Sequence, residues 1–148
     1  MKDYSKFERS YEEIAIGETA DIKKTITEED VFKFASIIDD CNPVHLDAEY
    51  AQSTMFGGRI DHGMHTASFF TALIATRLIG IRAIYISQEI KFLKPVRIGD
   101  TIDVRAVVTG KNDEKCRVNI KTTVYNQHGE IVVDGNAVIA VLKQDIKQ

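Results

Sequence analysis

The spacing of apolar residues changes once along this chain, and the change divides it into two halves. Between residues 27 and 79 the apolar positions recur three and four apart. From residue 83 onward they crowd into runs rich in Ile, Val, Thr and Tyr. The first spacing is that of helices packed on one face, and the second is that of strands. Ahead of both, Thr19, Ile22, Thr25 and Ile26 surround a charged pair and predict a short strand over residues 17–26. The first ten residues are polar and predict a loose N-terminal segment.

In the helical half, Thr27-Glu28-Glu29-Asp30 reads as a capping box with Asp at its last position. The helix it opens places Val31, Phe34, Ala35 and Ile38 on one face and stops at Asp39-Asp40. Asp47 predicts the cap of a short helix through Tyr50 and Ala51, which Phe56-Gly57-Gly58 breaks. Gly63 to Ile79 is the dominant helix, about 25 Å long at 1.5 Å per residue. Met64, Phe69, Phe70, Leu73, Ile74, Leu78 and Ile79 lie on several of its sides, so it predicts a buried helix, which Gly80 ends.

Residues 83–94, 100–110, 115–127 and 130–143 predict four strands, separated by Pro95 to Gly99, Lys111-Asn112-Asp113 and His128-Gly129. These are hairpin signals, so the strands are expected to be antiparallel. Ile131 to Val133 and Val138 to Leu142 are continuously apolar, which predicts cover on both faces of the sheet. One long curved antiparallel sheet around one central helix satisfies both halves of the pattern, an α+β domain.

Composition changes little in this picture. With 148 residues, 44% hydrophobic and 28% charged, the chain suits one globular domain spanning 1–148. A net charge of −3 gives no reason to expect nucleic acid as a partner. No apolar leader follows Met1, and Ser68, Thr71, Thr76 and Arg77 make the longest apolar stretch too polar for a bilayer. Cys41 and Cys116 lie far apart and read as free thiols. The expectation is a cytoplasmic protein.

The chemistry concentrates in Asp40-Cys41-Asn42-Pro43-Val44-His45. Pro43 fixes its own φ and pushes Asn42 out of helical conformation, so no helix runs through the segment. Asp40 and His45 are then free to converge on one water, an acid/base pair suited to adding or eliminating water. Downstream, Asp61-His62-Gly63-Met64 opens the long helix. The Gly63 N–H at that helix start can face a developing oxyanion. Such a set suits an enzyme acting on a carbonyl compound, a thioester in particular. Ala67, Thr71 and Ile74 share a helix face with Gly63 and are candidates to run along an acyl group.

Plainer readings stand beside these. Asp40 and His45 could make only local hydrogen bonds, and Gly63 could serve close helix–sheet packing. His62 and His65, with His45 and Asp47, could form a metal cluster, but no fourth ligand is evident and no metal site is assigned. Cys41 has no base of its own and reads as a structural thiol. Lys91, Lys94 and Arg97 suit either CoA phosphates or a solvated strand edge. Neither a Rossmann glycine fingerprint nor a P-loop is present.

These segments, in this order, resemble a known family. Tyr11-Glu12-Glu13, Thr25 to Asp30, Asp40 to Asp47, His62-Gly63-Met64 and Phe92 to Asp100 are similar to the MaoC-like family of (R)-specific enoyl-CoA hydratases, which has the hot-dog fold. The resemblance runs from Tyr11 to Leu142. It implies that Asp40 and His45 form a catalytic dyad, that Asn42 helps hold the turn and the water site, and that the Gly63 amide faces the thioester carbonyl. It further implies hydration of trans-2-enoyl-CoA to (R)-3-hydroxyacyl-CoA without a cofactor, coenzyme A being part of the substrate, and a homodimer as the basic unit. Asp39 departs from the family's frequent Gly, and Asp61 and His65 stand where apolar or neutral residues are usual. Alternatives within reach are a 3-hydroxyacyl-acyl-carrier-protein dehydratase, a hot-dog thioesterase and a non-catalytic acyl-binding protein.

Overall fold

The computed structural model describes residues 2–143. One antiparallel sheet holds β1 (Thr19–Thr25), β2 (Ala83–Phe92), β3 (Thr101–Asn112), β4 (Arg117–Tyr125) and β5 (Ile131–Val141). The spatial order is β1-β3-β4-β5-β2. The helices are α1 (Glu28–Ile38), α2 (Pro43–Leu46), α3 (Ala48–Gln52) and α4 (Gly63–Leu73), and a π turn over Ile74–Leu78 prolongs α4. Gly80, at φ +95°, ends it as expected.

The four later strands fall where the pattern puts them, but one connection does not. β3–β4 and β4–β5 are hairpins, whereas the segment between β2 and β3 is a crossover. β2 pairs with β5, and β3 pairs with β1 from Thr19↔Val107 to Thr25↔Thr101. A turn signal reports a change of chain direction and leaves the choice of neighbour open. Here Ile26 decides it: Gly99 donates to Ile26 O, and Ile26 donates to Asp100 O, so the turn docks on the end of β1.

The concave face of the sheet packs on α4. Phe70, Leu73, Ile74 and Leu78 meet Val104, Ile120 and Ile139, all almost fully buried. Each such side chain contributes about 1.5–3 kcal/mol on removal from water. The expectation that α4 is buried on all sides needs correction. Met64 is 57% exposed, and Thr71, Ala72 and Thr76 also face outward, because the sheet wraps one side of the helix only. Double cover of β5 is likewise incomplete within one chain: Val138 and Ala140 are half-buried on its outer face.

Local structure follows the side chains. Thr27 caps α1 by accepting from Asp30 N, and Asp30 accepts from Thr27 N in return. Asp39 closes α1 at φ +56°, the left-handed position that explains why glycine is common there; Asp is one of few other residues to tolerate it. The N-terminal segment is tied down where a loose one was expected. Arg9 donates to Leu78 O, Glu13 O and both carboxylate oxygens of Glu18, while Ile81 N donates to Phe7 O. No helix among the described residues is long and apolar enough to cross a membrane.

Candidate active site

Proline organises the first half of the site differently from the expected open turn. Asn42 caps α2, its Oδ1 accepting from Val44 N, and Pro43 takes the first helical position, where a missing N–H costs nothing. One short helix therefore ends at Asp39 and another begins at Pro43, and His45 projects from its single turn. Asp40 sits between the two, its Oδ1 accepting from Asn42 N.

His45 is held in one tautomer. Its Nδ1 lies 2.8 Å from Ile60 O. A carbonyl can only accept, so Nδ1 carries a proton, and in the neutral ring Nε2 holds the lone pair. His62 stacks on this ring, centroids 3.8 Å apart, and its Nε2 donates to Asp40 O at 3.2 Å. Burial holds the His62 pKa below the usual imidazole value, opposed by its bond to Asp40 O; the residue is 3% exposed and its Nδ1 has no partner among the described residues. A neutral His62 beside His45 adds no like charge. Ligand atoms of Asp40, His45 and His62 all come within 4.8 Å of one another. One water bonded to both Asp40 and His45 spans up to about 5.6 Å at ordinary hydrogen-bond lengths, so the gap suits one water.

α4 supplies the other half. His62 is its N-cap and makes no side-chain cap bond, so the first-turn N–H groups, Gly63 among them, have no intrahelical acceptor. Asp61 just before the helix spends both oxygens on side chains, accepting from His65 Nδ1 and Thr66 Oγ1 at 2.7 Å each. Its own N–H reaches Val96 O, which fixes the helix start against the β2–β3 crossover. The need for glycine at 63 is steric: a Cβ there would lie 2.8 Å from the Phe92 ring.

A cleft of about 560 Å³ opens beside these residues, bounded by His45, Gly63, Phe56, Met64, Phe92 and Val133 among others. That is the size of a small-molecule site. His45 and Gly63 face it. Asp40 and Asn42 do not line it; Asp40 lies beside it with its carboxylate 3.7 Å from His62 Nε2, and Asn42 serves the turn. The structure does not bring Ala67, Thr71 or Ile74 to this cleft. Ala67 and Ile74 are in the core, and Thr71 faces outward with its hydroxyl on Ser68 O. Only the first turn of α4 reaches the cleft; beyond it the same face runs under the sheet. The aromatic walls, Phe56 and Phe92, carry no periodicity of their own, and only their place beside Gly57-Gly58 and Pro95 signalled them.

The considered cluster of His45, Asp47, His62 and His65 does not assemble. Asp47 caps α3, and His65 pairs with Asp61. The grouping that does form is Asp40, His45 and His62, with His62 Nε2 bonded to Asp40 O. Arg97 donates to Phe56 O, and Lys94 pairs with Glu130, so both cations near the cleft have protein partners.

Comparisons with known proteins agree with this architecture. The (R)-specific enoyl-CoA hydratase of Rhodospirillum rubrum is 44% identical over 131 residues, 88% of this chain and 90% of the relative. The 3-hydroxybutyryl-CoA dehydratase of Methylorubrum extorquens is 41% identical, covering 91% and 85%. The unliganded R-hydratase PhaJ1 of Pseudomonas aeruginosa superposes with a TM-score of 0.85 at 42% identity, over 90% of this chain and 86% of that one. The five-stranded sheet around a central helix is thus the hot-dog fold of the R-hydratases. The family model for the MaoC like domain matches residues 12–130, and the chain belongs to that family.

Proposed function

We propose that the chain adds water to trans-2-enoyl-CoA thioesters to give (R)-3-hydroxyacyl-CoA, and runs the reverse elimination at the same site. The observation that carries the reading is His45: Ile60 O holds its Nδ1–H, its ring comes within 4.8 Å of the Asp40 carboxylate, and it lines the same cleft as Gly63. Water between Asp40 and His45 attacks C3, the pair delivers a proton to C2, and the Gly63 N–H takes the charge that builds on the thioester oxygen. The positive end of α4 supports that charge. Asp40 and His45 act as one coupled unit. The reaction needs no metal, nicotinamide or flavin, and coenzyme A enters with the substrate. The R configuration is supported by the names of the relatives above.

A short acyl group belongs to the same proposal. Phe56, Met64 and Phe92 crowd the cleft, and one relative is named for a butyryl substrate. CoA is favoured over an acyl carrier protein by the names of the two relatives above, both CoA enzymes. A homodimer is supported by β2, an edge strand with Ile84 and Ile86 45% and 44% exposed. A cytoplasmic location is supported by Cys41 and Cys116 remaining free thiols.

The direct test follows loss of enoyl absorbance with crotonyl-CoA, with chiral analysis of the product. The expected outcome is (R)-3-hydroxybutyryl-CoA. Asp40→Asn and His45→Ala should each lower kcat at least about 100-fold with KM little changed, and the double variant should lose less than the product of both. Release of free CoA in place of hydration would mean attack on the carbonyl, and would replace this reading with a thioesterase.

A further inference from the structure

The side chain of Arg59 makes three contacts that together join the two elements on which the acid/base pair stands. Its Nε donates to His45 O at 2.8 Å, in α2. Its Nη1 pairs with Glu28 at 2.5 Å, and its guanidinium lies 5.0 Å from the centre of the Phe32 ring; Glu28 and Phe32 are both in α1. α1 is the helix whose C-terminal end presents Asp40. The next residue along, Ile60, accepts from His45 Nδ1 through its carbonyl and donates to Val44 O. His45 is thus gripped at its backbone by Arg59 and at its ring by Ile60. The side chain of Arg59 is only 12% exposed, and its Nη2 is buried without a partner among the described residues. A buried donor left unpaired costs stability, so the fork is held here by its other contacts.

We propose that Arg59 is a positioning residue: by bridging α1 to α2 it sets the separation of Asp40 from His45, and so the width of the water gap. The inference rests on the proposed hydratase reading, in which those two residues share one water. Lysine cannot replace this arginine. One ammonium can meet Glu28 or His45 O but lacks the planar fork that serves both, and it does not stack on Phe32 in the same way. Loss of the bridge changes the gap without touching the cleft wall, since Arg59 does not line the cleft. The expected signature is a fall in kcat with KM preserved.

The experiment compares Arg59→Lys and Glu28→Gln with wild type on crotonyl-CoA, each also in a His45→Ala background, with the thermal midpoint of every variant measured. Arg59→Lys should lower kcat at least tenfold with KM within threefold, since displacement by about 1 Å can cost up to 100-fold. Glu28→Gln, which cuts one anchor at an exposed carboxylate, should lower kcat by a smaller factor. In the His45→Ala background neither substitution should lower the residual rate further. A wild-type kcat in Arg59→Lys overturns the proposal. So does an equal fall in both backgrounds, which would mean that Arg59 supports the fold at large. Full activity of His45→Ala alone would instead remove the hydratase reading itself, and the two failures are distinguished by that single variant.

Discussion

At the scale of single residues, the site works by committing some polar atoms so that others stay free. Ile60 O takes one nitrogen of His45, and Asp61 is absorbed by His65 and Thr66, so neither Ile60 O nor the Asp61 carboxylate is left to compete at the cleft. His62 pays in stability for this order, because it is buried and held neutral. Above pH 6.5, its ordinary value, folded and unfolded His62 are both neutral and the stabilising term is fully present. As the pH falls below 6.5 the unfolded chain binds a proton that the folded site resists, and stability declines until the depressed folded pKa is passed. Urea midpoints from pH 8 to 5 should fall on the acid side, with the labelled His62 imidazole titrating below 6.5 by NMR; a titration at or above that value contradicts the assignment. Chain length is also a residue-level matter. Phe56→Ala should raise the ratio of octenoyl-CoA to crotonyl-CoA activity, with the crotonyl-CoA rate held within roughly tenfold. Ile74→Ala should leave the ratio unchanged and destabilise the protein by ~2–5 kcal/mol, since Ile74 is fully buried in the core. An increased ratio in Ile74→Ala would return the acyl group to the α4 face.

At the scale of elements, β2 is the strand on which the cleft depends, since Phe92 at its end covers Gly63. Its pairing to β5 rests on Gly135, which sits opposite Ile90. A Cβ on Gly135 would lie 2.0 Å from Glu89 O, a backbone atom that cannot move without breaking the ladder. Gly135→Ala should therefore cost about 1–3 kcal/mol or more in chemical denaturation. Gly110→Ala is the control, because its Cβ would meet no backbone, its nearest neighbour being the Asn119 side-chain amide nitrogen at 3.2 Å. Equal stability of the two variants would show that β2 and β5 can separate without loss.

For the whole molecule, the exposed face of α4 and the free edge of β2 are what one chain leaves unfinished. Met64, Ala72, Ile84 and Ile86 are all exposed there, and single apolar residues on a surface need no partner, but a ten-residue strand with one edge open among the described residues does need protection. Sedimentation equilibrium should give the mass of a dimer or a multiple of it, and the thermal midpoint should rise with protein concentration. A fully active protein that stays monomeric at assay concentration would remove the assembly from the proposal.

Much of the molecule was legible in the chain because the evidence was local. Thr27 and Asp30, Asp47, Gly80 and the β3–β4 and β4–β5 turns each act within a few residues, and each formed where its neighbours indicated. The convergence of Asp40 and His45 was legible for the same reason, since five residues and one proline bound how far apart they can be. What tertiary structure decided lies between segments distant in sequence. The pairing of β2 with β5 in place of β3, the turn of α4 that reaches the cleft, and the stacking of His62 on His45 all depend on which surfaces meet once the sheet closes on the helix. Side-chain periodicity states which face is apolar, but not which neighbour covers it. That choice is made by packing, and packing is a property of the folded chain as a whole.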